Sequence, residues 1–348
     1  MAVNRIRYIR KYHSTLYAAG YRASVVLSEL LRLGKAGRRG VLRAVLDEDS
    51  WDRLPHATRD DSSAADPRLY EDFPEGAVII PAHNEASVIG RTLGRLAPLA
   101  ASGQVEVIVA CNGCTDNTAE LARSFKEVRV LDVPEASKVA ALNAADAAAA
   151  RWPRLYLDAD IEIDPRALRV VFDELGREAV LAARPAFRYD TEGASGLVRS
   201  FYRARNRIPS TQNALWGAGA FAVSQEGRKR FRQFPSISPR FSGDDLFVDQ
   251  QFLPSEKKVL STPPVMVRTP RHADTLLRIL RRNYRATAEL GGWSTTSQTV
   301  RELMRTIRSP QSAMDASVYA GFVALARLRP RRPPDSSGVW ERDESSRL

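Results

Sequence analysis

From residue 76 onward, short unbroken apolar runs alternate with segments whose apolar positions recur at helical spacing. Ala77-Val78-Ile79-Ile80, Val105 to Ala110, Val128 to Val133 and Arg154 to Leu157 read as strands. Between them Ala86 to Leu96, Thr115 to Phe125 and the alanine-rich Lys138 to Ala150 read as helices, with Thr115 or Asp116 placed to cap the second. Single helices joining short buried strands predict a mainly parallel α/β sheet, and ligands of such sheets sit beyond the carboxyl ends of the strands.

After Asp164 the pattern is mixed. A helix is expected from Gly196 to Arg207, a Gly-rich turn at Trp216-Gly217-Ala218-Gly219-Ala220, and basic helices over Ala273 to Leu290 and Thr299 to Arg308. Before the alternation, Ile6 to about Leu33 shows an apolar stripe opposite basic residues, with Gly20 weakening its middle. The expected organisation is therefore a basic amphipathic arm (1–46), an acidic linker (47–75), a catalytic α/β domain (76–262), a helical extension completing its site (263–328) and a disordered tail (329–348). No internal repeat is visible.

Composition adds three constraints. The net charge of +11 is concentrated before Asp47, where ten Lys and Arg face only Glu29, so that end suits an anionic membrane face, an acidic partner or nucleic acid. The only two cysteines, Cys111 and Cys114, exclude a disulfide framework. No secretory leader and no spanning run is expected: the longest apolar stretch, Ala313 to Leu328, is interrupted by Asp315 and Arg327. A cytoplasmic protein that touches a membrane surface fits these features. Nothing matches a helix-turn-helix, zinc-finger or RNP pattern, so no nucleic acid is expected as a partner.

The sharpest chemical feature is Asp158-Ala159-Asp160 at the end of Leu155-Tyr156-Leu157. Alternation sends both acids to one side. Two carboxylates at the mouth of a buried strand are costly unless they meet a cation, and such a pair suits Mg or Mn completed by phosphates and water. Two solvated acids in a turn would be the plainer explanation of an isolated pair.

Together with Val78-Ile79-Ile80-Pro81-Ala82-His83-Asn84-Glu85, Cys111-Asn112-Gly113-Cys114-Thr115-Asp116, Lys138 with Ala141-Leu142-Asn143, and Gly243-Asp244-Asp245, that pair resembles the inverting family-2 glycosyltransferases of GT-A fold. The resemblance covers roughly Gly76 to Arg285. It implies a Rossmann-like mixed sheet flanked by helices, and transfer of one sugar from a nucleoside-diphosphate-sugar to a hydroxyl. The acceptor would be a saccharide or lipid-linked precursor, as in cell-surface polysaccharide or glycolipid synthesis.

Carried over residue by residue, the resemblance assigns Asp160 to the metal and Asp158 to the donor's ribose or sugar, or to the metal site through water. Pro81, His83, Glu85 and Asn112 lie by the nucleotide, and Lys138 reaches the diphosphate. Asp245 becomes the base that takes the acceptor proton, with Trp216, Gly217, Gly219 and Asp244 on the acceptor side. His272 would complete the metal shell. Plainer roles exist for several: Glu85 as a first-turn helix acid, Lys138 as a solvated helix-end lysine, Asp244 as an N-cap, and His272 as a structural histidine.

Two departures matter. Arg282, Arg285 and Ala286 stand where processive members carry Q-x-x-R-W, and only Arg285 matches, which favours single transfer. Cys111 replaces the Asp that accepts from uracil, leaving the nucleobase open. Competing readings are an inactive GT-A-like scaffold, a nucleotidyltransferase making a nucleotide-sugar, and a thioredoxin-like C-x-x-C pair. The nucleotidyltransferase would want a Gly-rich loop after the first strand, and residues 81–85 do not supply one.

Overall fold

A computed structural model of the chain describes residues 72–177, 180–238, 241–291 and 296–328, with Val26 standing alone before them. All but Val26 belong to one unit, 67–348. The expected basic arm, nearly all of the acidic linker and the expected tail fall outside the described residues.

The chain order is β1 (Gly76–Ala82), α1 (Ile89–Ala101), β2 (Val105–Asn112), α2 (Thr118–Arg123), β3 (Arg129–Val133), α3 (Lys138–Ala148), β4 (Arg154–Leu157) and α4 (Pro165–Gly176). Then come β5 (Ala182–Arg184), β6 (Phe187–Asp190), α5 (Gly196–Arg205), α6 (Pro209–Gln212), β7 (Ala220–Val223), α7 (Gln225–Arg228), α8 (Asp244–Gln250), β8 (Lys257–Val259) and β9 (Val265–Arg268). Three helices close the sequence: α9 (Ala273–Glu289), α10 (Thr296–Arg305) and α11 (Pro310–Arg327).

Seven strands form one sheet in the order β3-β2-β1-β4-β7-β5-β8, and β6 pairs with β9 in a second, two-stranded sheet. The β3-β2-β1-β4 half is parallel, with Ile79 opposite both Ile108 and Tyr156. β7 runs antiparallel to β4 and β5. The sheet is therefore mixed, as the resemblance implied and the strand–helix alternation alone did not.

All seven residues of β1 are buried because both faces are covered. Val78 and Ile80 face a core built with α1 and α4, through Ile89, Leu93, Leu96, Leu168 and Phe172. Ala77 and Ile79 face the opposite core, with Val139, Leu142, Phe221 and Phe234. Each fully buried Leu, Ile or Phe contributes roughly 1.5–3 kcal/mol, so the two layers fix where the strand ends lie. A third core, helical, joins α5, α9 and α11 through Phe201, Leu276, Leu280, Tyr319 and Phe322. Within it the fully buried Asp315 of α11 holds Arg203 and Arg207 at 2.6 and 3.0 Å, and Ser200 donates to it at 2.7 Å.

Several boundaries differ from the expectation. Helix α1 starts at Ile89 rather than Ala86, because Asn84 takes a left-handed φ of 53° and a turn intervenes. Helix α2 starts at Thr118, and neither Thr115 nor Asp116 is its N-cap: Asn117 holds that position with no side-chain bond. Helix α10 runs three residues earlier than the expected Thr299–Arg308. The interrupted apolar run near the end of the sequence is α11, opened by a Ser309–Ser312 capping box. No helix among the described residues is long and apolar enough to cross a membrane.

Candidate active site

Strand direction builds the site. β1, β2 and β4 are parallel, so their carboxyl ends reach one edge of the sheet. β7 runs the other way, so its beginning, with the Trp216–Gly219 turn before it, arrives at the same edge. Together they bound a cleft of about 1550 Å³. Pro81, His83, Glu85, Asn112, Lys138, Asp158, Asp160, Trp216, Gly217, Gly219, Asp244 and Asp245 all line it. His272 does not: it occupies the N-cap position of α9, its carbonyl accepting from Leu276 N–H at 3.1 Å.

On one flank the loops after β1 and β2 are tied together. Asn84 Oδ1 accepts from Thr115 N–H at 2.7 Å and Asp116 N–H at 3.3 Å, and Glu85 N–H donates to Thr118 Oγ1 at 2.7 Å. His83 Nδ1 lies 2.5 Å from the Asn112 carbonyl. Glu85 is buried ahead of α1 rather than solvated in its first turn. Asn112 is also buried, and its Nδ2 has no hydrogen-bond partner, leaving a donor at the cleft wall. Such a donor is costly until something accepts from it.

The cysteine pair serves the same loops. Cys111 lies inside β2, and hydrogen bonding to Cys114, then burial, push its thiol up. Cys114 S–H donates to the Ala82 carbonyl at 3.3 Å, and its Sγ lies 3.5 Å from Asn84 N. The bond with Cys111 draws Cys114 down to about 6. These sulfurs tie two strand-end loops to each other.

At the centre of the cleft Lys138, the first residue of α3, is clamped between two acids from distant parts of the chain. Its Nζ lies 2.8 Å from Asp158 Oδ1 and 2.9 Å from Asp244 Oδ1. It is no solvated helix-end lysine. Burial opposes its charge, but Asp158 and Asp244 outweigh burial and hold it protonated. Asp158 is fixed from behind by its N–H donating to the Gly219 carbonyl at 2.8 Å. Gly219 adopts φ +63°, and a Cβ there would fall 2.7 Å from Ile161 Cγ1 and 3.0 Å from Asp158 Oδ2, so only glycine fits.

Asp245 faces the same space from α8. Gly217 N–H donates to its Oδ2 at 2.9 Å and Leu246 N–H to its Oδ1 at 2.7 Å. Gly243 holds the N-cap position, so Asp244 belongs to the first turn and does not cap the helix. Burial raises both carboxyls. Asp244 is lifted to about 6 by burial, against Lys138 and with the repulsion of Asp245 and Asp158. Asp245 is raised by burial, against Lys138 and the Gly217 bond. A carboxylate oriented by two backbone donors, with raised proton affinity, has the properties of a general base.

No three His, Cys, Asp or Glu side chains converge as a ready-made metal cage among the described residues. Mg and Mn commonly need one or two protein carboxylates beside phosphates and water, and Asp158 and Asp160 both line the cleft. Sequence reasoning missed Arg205, Tyr189 and Asp249. Asp249 Oδ1 accepts from Leu215 N–H at 2.7 Å and pairs with Lys257 at 2.7 Å, fixing the start of the Trp216 turn. Arg205 could have been singled out by spacing, since at helical periodicity positions 203 and 207 share one side and 205 lies opposite.

Residues 77–226 match the sequence profile of the family described as Glycosyl transferase family 2. The matched segment carries that family's sequence pattern. The enzyme is a glycosyltransferase with a mixed α/β fold of GT-A type. Among solved structures it is similar to mannosyltransferase PcManGT from Pyrobaculum calidifontis in complex with GDP-Man and Mn2+. That likeness is 18% in identity over 74% of each chain, with a TM-score of 0.50, and shows the fold. It also aligns with glucosyl-3-phosphoglycerate synthase from Mycobacterium tuberculosis (19% identity, 64% of this chain and 80% of that one, TM-score 0.47). A third alignment is to S. aureus TarS 1-349 in complex with UDP (16%, 72% and 70%, TM-score 0.44). No curated protein sequence matches.

Proposed function

We propose that this glycosyltransferase moves a single sugar, with inversion, from a nucleoside-diphosphate-sugar to a hydroxyl of a saccharide or lipid-linked acceptor. The observation that carries the reading is the Lys138 clamp. It joins Asp158, from the donor-side motif, to Asp244, the neighbour of the candidate base, across one cleft.

In this reading the nucleotide lies over the ends of β1 and β2, where the buried Asn112 amide offers its unused donor. Asp160 and Asp158 would hold a divalent cation of the Mg or Mn type, and that cation supplies charge neutralisation for the departing diphosphate. Asp245 accepts the proton of the attacking hydroxyl at one of its oxygens, each of which keeps a lone pair beside its backbone bond. Lys138 keeps the acids from repelling one another apart and sets the spacing between the two halves. Trp216 and the glycines of its turn form the acceptor wall. The basic arm at 1–46 would favour work at the cytoplasmic membrane face.

The test is a thermal-shift screen of nucleoside diphosphates and their sugars with and without Mn2+. One nucleotide should raise the melting temperature selectively and only with the metal, because selective binding stabilises the native state. In D160A that metal dependence should disappear. Equal stabilisation with Mn2+ and with a chelator would remove the metal from the reading.

A further inference from the structure

Three arginines, Arg203 and Arg205 in the last turn of helix α5 and Arg207 just beyond it, meet different environments. Arg203 and Arg207 turn to the buried Asp315, which pairs with both. Arg205 turns the other way and lines the cleft. Its Nε donates to the Tyr189 hydroxyl at 2.9 Å, its guanidinium lies 5.1 Å from the centre of the Trp216 ring, and Tyr319 lines the same cleft. Among the described residues no carboxylate pairs with it; the groups that act on its charge are Tyr189, Tyr319 and Tyr202.

A guanidinium enclosed by phenols and an indole retains donors for which the protein supplies no anion. Burial disfavours such a charge, and neighbouring acids could have been placed here as they were for Arg203. The tyrosine hydroxyl that accepts from Arg205 still has a proton to donate outward into the cleft. The cage is thus a ring of donors around a cation, with aromatic walls.

Its position ties it to the chemistry. A Cβ built on Gly217 would lie 3.8 Å from Arg205 Nη2 and 3.9 Å from the Tyr189 hydroxyl. The N–H of that same Gly217 is the one that orients Asp245 Oδ2. A hydroxyl presented to Asp245 therefore places its neighbouring substituents against Arg205. Resting on the reading of Asp245 as base, we propose that the acceptor carries an anionic group, a phosphate ester or a carboxylate, close to the reacting hydroxyl, and that Arg205 with Tyr189 and Tyr319 binds it.

The test is calorimetric titration of the full-length chain with three probes: glycerol 3-phosphate, glycerate and glycerol. No nucleotide or metal is added, so the result can be read even if the donor assignment fails in the thermal-shift screen. At least one anion should bind the wild-type chain, and glycerol should not. R205M should weaken that anion about tenfold or more, as expected for loss of charge-assisted bonds, and R205K, which keeps the charge, should weaken it less. Binding of both anions assigns either group; binding of glycerol 3-phosphate alone assigns a phosphate. If R205M melts well below wild type, R205Q, which is neutral but still bonds to Tyr189, takes its place. Anions that bind no better than glycerol, or that bind R205M as tightly as wild type, would overturn the proposal.

Discussion

The Lys138 clamp makes a quantitative prediction for K138M. The perturbation removes a cation held between Asp158, whose side chain is 41% exposed, and Asp244, whose side chain is 4% exposed. Water can screen the first acid, so the penalty falls mainly on the second. In the intact protein Asp244 titrates near 6 instead of 3.8, which already costs about 3 kcal/mol when it is ionised. Without Lys138 its proton affinity rises further, and the buried group takes up a proton rather than stay charged.

The cost is then bounded by the pH. Holding a proton on a group that is ionised at 3.8 when unfolded costs at most about 6 kcal/mol at pH 8 and about 2 kcal/mol at pH 5.5. A carboxyl whose native affinity is raised stabilises fully below 3.8, and that stability is lost as pH rises through the native value. The mutant loses it over a wider range than the wild type. K138M should therefore be less stable by up to about 3 kcal/mol at pH 8 and by under about 1 kcal/mol at pH 5.5. Urea unfolding followed by tryptophan fluorescence at the two pH values measures both gaps. A K138M chain as stable as wild type at pH 8, or an equal gap at both pH values, would refute the clamp.

Two further predictions concern the frame of the site. G219A forces a side chain into a left-handed φ and against Ile161 and Asp158; it should cost roughly 1–2 kcal/mol from backbone strain alone, read by urea unfolding, and weaken any donor bound beside Asp158. D315N removes the acid whose affinity is drawn down to about 2, where burial is outweighed by its bonds to Arg203, Ser200 and Arg207. It should cost about 1–2 kcal/mol at neutral pH after allowing for the half-exposed arginines. That contribution is complete above about 3.8 and fades as pH falls toward 2, so the gap between D315N and wild type should close in acid.

Much of the donor half was legible in the sequence because it is local. A buried parallel strand shows as an unbroken apolar run, and the residues just beyond it mark the sheet edge, so Pro81, Asn112 and Asp158 could be placed from pattern alone. The short strands β5, β6, β8 and β9 were not visible, since three or four residues carry no measurable alternation. The resemblance implied a mixed sheet but did not say which strand reverses; that strand is β7, and its reversal brings Trp216 and Gly217 to the site. Long-range pairing was illegible: nothing near Lys138 in the chain points to Asp244. The family pattern assigned Lys138 to a ligand, whereas the fold gives it two protein carboxylates. His272 shows the opposite failure, since its place in the motif order did not bring it to the cleft lining. Arg205 was hidden among neighbouring basic residues until the fold separated it from Asp315.

The central claim, that Asp245 deprotonates the acceptor across the cleft from a donor held near Asp160, is tested most directly by D245N. The variant is compared with wild type for donor binding by calorimetry and for sugar transfer in a single turnover. A positioned base contributes about a hundredfold to ten-thousandfold, so transfer should fall by that factor while donor affinity stays within about threefold. Transfer by D245N at a rate within a few-fold of wild type would contradict the account.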